Sequence, residues 1–286
     1  MRTAEEIINH LLISLPELRT NHSPGNPVYQ LLATVAKISV TDLFGPESPQ
    51  RAHFGPFGIL EFPYTSMGAI SSLELFGLDE LIIFSFYWRN RARYRKVFDL
   101  GANIGLHSCV LARCGYSVTA YEPDPKHYTK LTNNLANNAC CAVQAIQAAV
   151  STHDGEMEFV RVLGNTTGSH LAGAKANPYG ELERFPVRVE NFGKMIRDAD
   201  LIKMDVEGLE QELLLSTHCA DWAGTDAMVE IGTKANADSV YAHFQTEGVN
   251  LFGQKKGWQR IERRDDMPSS YRDGSVFISL ATEMPW

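Results

Sequence analysis

The stretch Val97-Phe98-Asp99-Leu100-Gly101-Ala102-Asn103-Ile104-Gly105 decides the fold. A short apolar run ends in an acid, glycines follow, and a helical pattern begins at Leu106. A strand that runs into a Gly-rich turn and then a helix is the usual way an α/β sheet holds an adenosine-bearing cofactor. Gly101 and Gly105 permit a tight turn and a close approach of backbone to ligand. A second apolar run, Ser117 to Tyr121, ends in Glu122. An acid at the tip of the second strand is the group that accepts hydrogen bonds from ribose hydroxyls.

Beyond that turn, strands and helices alternate. The pattern predicts a helix over 106–114, a strand over 117–121, a helix from Pro125 to Asn137 and a strand over Ala142–Val150. Glu156 to Val162 alternates like an edge strand, and the polar, Gly-rich 164–180 reads as a long functional loop. Further strands are expected at 185–189, 201–206 and 227–232, with a helix between the last two. The closing runs 249–252, 258–261 and 276–280 have no helix between them, so at least one is expected to be antiparallel. The result is an α/β fold with a parallel sheet covered on both faces.

Residues 1–90 read as an N-terminal extension or cap, mostly helical with a short hairpin near 54–64, and residues 91–286 as the cofactor-binding domain. Asp79 is expected to cap a helix over 80–91 that is apolar nearly all round and therefore buried. The basic run from Arg89 to Lys96 reads as a solvated helix end.

The chain of 286 residues is 44% hydrophobic and 21% charged, which is enough apolar material for a full core. A net charge of −8 argues against a nucleic-acid backbone as partner. No apolar run reaches the ~20 residues of a membrane span, and the first residues lack the layout of a signal peptide. Five cysteines with no Cys-x-x-Cys spacing give no disulfide framework, so a cytoplasmic location is expected. The nine histidines show no metal-binding spacing, and no metal site is predicted.

Ligands of an open α/β sheet bind at the C-terminal strand ends. Those ends carry Asp99, Glu122, Asp205, Glu207 and Glu230. A pyrophosphate would meet too many acids there, and Gly-Ala-Asn-Ile-Gly is one glycine short of a dinucleotide fingerprint. S-adenosylmethionine carries an ammonium and a sulfonium and no phosphate, so an acid-lined pocket favours it.

The same stretch, with Tyr121-Glu122-Pro123-Asp124-Pro125, Asn134, Asn138 and Ile202-Lys203-Met204-Asp205-Val206-Glu207-Gly208-Leu209-Glu210, resembles the FkbM family of S-adenosylmethionine-dependent methyltransferases over roughly residues 95–232. The resemblance implies a class I methyltransferase Rossmann-like sheet of seven strands with the last antiparallel. It also implies O-methylation of a hydroxyl on a sugar or natural-product-like small molecule or glycan. The alternatives are a non-catalytic cofactor-binding protein and a nicotinamide-dependent oxidoreductase.

Asp99, Gly101, Ala102, Asn103 and Gly105 are expected to wrap the methionine end of the cofactor, and Glu122 to hold its ribose. Asp205, Glu207 and Glu230 are the candidates around the reacting methyl, with Asp205 the preferred base. Two other readings stand beside that one. Asp205 and Glu230 could hold a divalent cation, or Lys203, Asp205 and Glu207 could form an ion-pair network that fixes their strand. His107 reads as a solvent-facing residue near the pocket, and Ser169 and Tyr64 as substrate-side groups.

Overall fold

The structure is a computed structural model that describes residues 3–174 and 180–286; Lys175 to Tyr179, within the expected long loop, lie outside the described residues. The N-terminal segment contributes α1 (Ala4–Ser14), α2 (Pro27–Phe44), a hairpin of β1 (Arg51–His53) and β2 (Ile59–Glu61), and α3 (Leu78–Arg89). Each start has a local cause. Thr3 makes a capping box with Glu6 for α1, and Asn26 accepts from Val28 N ahead of Pro27 for α2.

The main sheet contains β3 (Lys96–Leu100), β4 (Ser117–Tyr121), β5 (Val143–Ile146), β10 (Leu201–Met204), β11 (Asp226–Val229), β12 (Asn250–Gly253), β13 (Gln259–Arg260) and β14 (Val276–Ser279). Their order is β13-β12-β14-β11-β10-β3-β4-β5. Five adjacent strands, β5 to β11, are parallel, and β14 is antiparallel to both its neighbours. In chain order the parallel block reads third, second, first, fourth, fifth, which is the doubly wound arrangement. Its switch point lies between β3 and β10. The sheet has eight strands where seven were expected, because the two-residue β13 adds to the edge beyond β12.

Helices α4 (Leu106–Arg113), α5 (Pro125–Asn137), α7 (Glu210–Leu215) and α8 (Lys234–Glu247) connect the strands. A second sheet is inserted between β5 and β10. It consists of β6 (Ala149–Ser151), β7 (Gly155–Val162), β8 (His170–Leu171) and β9 (Leu182–Asn191) in the order β6-β9-β7-β8, and the short α6 (Phe192–Met195) leads out of it.

Three local expectations are corrected. The run 142–150 is not one strand. Ala148 N donates to Ile146 O, the chain turns, and β6 pairs with β9 in the other sheet. Both halves stay apolar, so hydropathy does not mark the break. The segment expected at an edge, β7, is interior and pairs with β9 and β8. Asp79 does not cap α3, whose N-cap is Gly77; the Asp79 side chain instead accepts from Gln254.

One apolar cluster joins the N-terminal segment to one face of the main sheet. Ile8, Phe44, Phe84 and Phe86 belong to it together with Val97, Val110, Met228 and Phe277. Helix α3 sits in its middle, which explains an apolar surface nearly all round. Each such fully buried side chain contributes about 1.5–3 kcal/mol. A second cluster fills the other face and includes Val189 and Phe159 of the insert, Leu213, Trp222 and Phe244. No helix among the described residues is long and apolar enough to cross a membrane.

A candidate active site at the strand ends

A cavity opens at the C-terminal ends of β3, β4 and β10. Gly101, Asn103, Glu122, Asp205 and Glu207 line it from the main sheet. The loop after β4 adds Pro123, Asp124 and His127. An apolar wall comes from Ala148, Ala149, Val150, Phe159 and Leu171, and a polar one from Thr166, Thr167 and Ser169.

The turn after β3 is shaped by packing as much as by any ligand. Gly101 has φ +78°, and a Cβ there would lie 1.8 Å from the Asp205 carbonyl oxygen. Gly105 has φ +90°, and its Cβ would meet Leu131 Cδ1 at 2.4 Å. So the first glycine lets β3 and the β10 loop touch, and the second lets α4 rest on α5. Asn103 also takes a left-handed φ of +52°, which Asn tolerates better than most residues.

Glu122 is buried and fastened by backbone donors. Asn103 N donates to its Oε2 and Asp124 N to its Oε1, each at 2.8 Å. Burial outweighs those donors and pushes the Glu122 carboxyl up to about 8. Each oxygen has the capacity to accept one further hydrogen bond, and the residue lines the cavity.

Deeper in, Lys203 is the cation of the site. Its Nζ lies 3.7 Å from Asp99 Oδ1 and 3.6 Å from Asp205 Oδ2, and donates to Gly101 O at 3.1 Å. Burial works against the ammonium, but Asp205, Asp99, Glu80 and Glu230 prevail and hold its pKa above the ordinary lysine value. Asp99 also accepts from Ser108 Oγ at 2.6 Å. Burial first, then Asp205, Glu80 and Glu207, pushes Glu230 well above the ordinary carboxyl range.

The loop after β10 is held by Glu210. Its Oε1 accepts from Val206 N and its Oε2 from Gly208 N, at 2.8 and 2.9 Å. This stabilises Glu207 at φ +56° and Gly208 at φ +111°, conformations that cost an acidic side chain energy.

The nine predicted site residues therefore fall into two groups. Gly101, Asn103, Glu122, Asp205 and Glu207 share the cavity. Asp99 lies beneath the turn against Lys203, while Ala102 and Gly105 are in the turn but outside the cavity lining. Glu230 stands at the end of β11, beside Met204. Ser169 does line the cavity, but Tyr64 does not. His107 is not solvent-facing. It is buried between Glu80 Oε2, 2.7 Å from Nε2, and Tyr87 Oη, 3.1 Å from Nδ1. Burial raises Glu80, but the charge and hydrogen bond of His107 hold its pKa below the ordinary value. The acidic pair expected to ligate a divalent cation faces the Lys203 ammonium instead, and the described residues contain no group of three or more His, Cys, Asp or Glu able to hold a metal.

Sequence reading missed Asp124, His127 and Arg161. Asp124 N-caps α5 by accepting from Lys126 N, and Asp-Pro ahead of a helix was a usable signal. Arg161 lies in an alternating strand, and nothing local marks it as buried.

The chain matches the sequence profile of the methyltransferase FkbM domain over residues 99–241. It is similar to the protein named methyltransferase sdnD from Sordaria araneosa, at 30% identity over 159 residues, with 44% of this chain and 61% of that protein covered. This chain thus spans less than two thirds of that relative. Among solved structures it is similar to a precorrin-6y C5,15-methyltransferase from Geobacter metallireducens, at 12% identity and a TM-score of 0.36 over 67% of this chain and 82% of that one. It is also similar to a SAM-dependent methyltransferase from Agrobacterium tumefaciens, at 12% identity and a TM-score of 0.37 over 70% and 61%.

Proposed function

The chain belongs to the FkbM methyltransferase family, whose methyl donor is S-adenosylmethionine, and on that premise we propose that it methylates a hydroxyl oxygen on a sugar-like or natural-product-like small molecule. The observation that carries this reading is the charge balance at the strand ends. One ammonium, Lys203, is set among Asp99, Asp205, Glu80 and Glu230. The excess of carboxylates suits a ligand with a sulfonium and an ammonium, and opposes a pyrophosphate.

The residues fit that donor in a second way. Asn103, in the cavity lining, has its Oδ1 buried without a hydrogen-bond partner. Such atoms are rare in a finished interior unless a missing group satisfies them. Glu122 would hold the ribose hydroxyls, and Gly101, Asn103 and Asp205 the amino-acid end. The wall of Ala148, Ala149, Val150 and Leu171 would cover the base. When bound, the cofactor supplies an electrophilic methyl group on a positively charged sulfur.

The chain's own part is alignment and one proton. Asp205 Oδ2 faces Lys203, and no hydrogen bond among the described residues takes up its Oδ1. That oxygen accepts the acceptor's hydroxyl proton. Glu207 lines the same cavity. Residues 1–90 act as a fixed acceptor-side cover that brings Glu80 to the site.

Labelled methyl transfer tests the reading. Parent protein with S-adenosylmethionine and a panel of hydroxylated acceptors is expected to label an oxygen, and Asp205→Asn to lower kcat by about 10²–10⁴. Labelling of nitrogen or carbon alone, or full activity in Asp205→Asn, overturns it.

A further inference from the structure

Besides walling the cavity, the inserted sheet is tied to the loop after β4 by a buried ion pair. Arg161 of β7 donates from Nε to Asp124 Oδ2 and from Nη2 to Asp124 Oδ1, both at 2.6 Å. Both side chains are almost fully buried, at 4% and 1% exposure. The guanidinium also stacks 4.6 Å over Phe185 and meets Glu183 with its remaining nitrogen. Asp124 then passes the constraint on. Its backbone N donates to Glu122 Oε1, while Asn103 N donates to Glu122 Oε2. A continuous path of hydrogen bonds thus runs from the insert, through the loop after β4, to the turn after β3.

The insert is tied down a second time beside the same loop. His127 Nε2 and Thr166 Oγ1 share a hydrogen bond of 3.0 Å. Thr166 N donates to Met67 O, and Ala69 N to Gly164 O. The loop that walls the cavity is therefore gripped by α5 on one side and by residues 67–69 on the other. Gly68 is required there, since a Cβ would lie 2.2 Å from Gly164 O.

We propose that Arg161 is a positioning residue for the cofactor: by clamping Asp124 in a bidentate grip it aims the Glu122 carboxylate at the ribose, so that the insert sets cofactor affinity from outside the pocket. This rests on the cofactor reading above. A lysine keeps the charge at this place but not the fork, so Arg161→Lys isolates the geometry. A purely architectural arginine would lower stability and leave affinity alone.

The probe is S-adenosylhomocysteine, titrated calorimetrically into the parent, Arg161→Lys, Glu122→Gln and the double variant, with melting temperatures measured alongside. Arg161→Lys is expected to weaken binding about tenfold, the loss of one charge-assisted hydrogen bond. The double variant is expected to bind within about threefold of Glu122→Gln alone, because the two residues act in series. Val187→Ala, buried in the insert opposite Met157 and outside the cavity lining, is expected to lower the melting temperature and leave the affinity within about twofold. Should Arg161→Lys fail to fold, Arg161→Met with Asp124→Asn removes both charges together and is expected to show the same loss. Parent-like affinity in Arg161→Lys, or losses that multiply in the double variant, overturn the proposal. A parent that binds no S-adenosylhomocysteine overturns the cofactor reading, and this proposal with it.

Discussion

The turn after β3 and the inserted sheet wall the same cavity, yet they are specified in different ways. The turn is local. Its glycines, its asparagine and the start of the helix that follows lie between Gly101 and Leu106, and its conformation is written in residue types that tolerate left-handed backbone. The insert is non-local. β6 pairs with β9 forty residues later, Ala149 opposite Val189, and Arg161 finds its partner in the loop after β4. A local motif can be read from the chain one window at a time. A pocket completed by distant pairings cannot, because no single window holds both members of any pair.

Substitutions sharpen the contrast, and the largest effect belongs to the turn. Gly101→Ala puts a Cβ 1.8 Å from the Asp205 carbonyl at φ +78°. It is expected to cost about 4 kcal/mol or more and to abolish cofactor binding, as measured by urea unfolding and calorimetry. A stable, binding-competent variant would show that the turn is not the rigid member of the pair.

In the insert, Arg161→Met leaves Asp124 buried without its partner. The expected loss is about 3 kcal/mol in urea unfolding. A change below about 0.5 kcal/mol would mean that the buried pair contributes no more than a surface one.

A third test is pH. Glu122 stands at about 8 in the free protein because burial outweighs its backbone donors. Ribose hydroxyls bond to the ionised form, so ligand binding lowers that pKa and releases a proton. Affinity for S-adenosylhomocysteine is then expected to be greatest above pH 8 and to fall as the pH drops below it, by at most about tenfold per unit. The stability of the free protein runs the other way. A raised carboxyl pKa contributes stability at low pH that is lost as pH rises through about 8. An affinity flat from pH 6 to 9 contradicts the assignment of Glu122 to the ribose.

The smallest effect is expected at the loop after β10. Glu207→Gly relieves φ +56° and should raise stability by about 1 kcal/mol. Thermal unfolding reads this directly, and a destabilised variant would mean that the Glu207 side chain holds the loop.

How much was legible follows the same division. The α/β alternation was readable because each strand is an apolar run closed by a turn residue. Glu122 and Asp205 were readable because strand tips are fixed by the alternation itself. The break between β5 and β6 was not, since apolar residues continue on either side of it. His107 was misread for a related reason. Its position in the first turn of α4 implied solvent, but α3 covers that turn and brings Glu80 and Tyr87 to both ring nitrogens. Arg161 looks like the exposed member of an alternating strand, and only the fold places Asp124 against it.

The most direct test is calorimetric titration of the parent chain with S-adenosylhomocysteine at pH 7, repeated in two buffers of different ionisation enthalpy, with NAD as the comparison ligand. The account predicts binding of one S-adenosylhomocysteine per chain with release of a proton from Glu122, loss of that proton signal in Glu122→Gln, and no heat with NAD. Binding of NAD without binding of S-adenosylhomocysteine would contradict it.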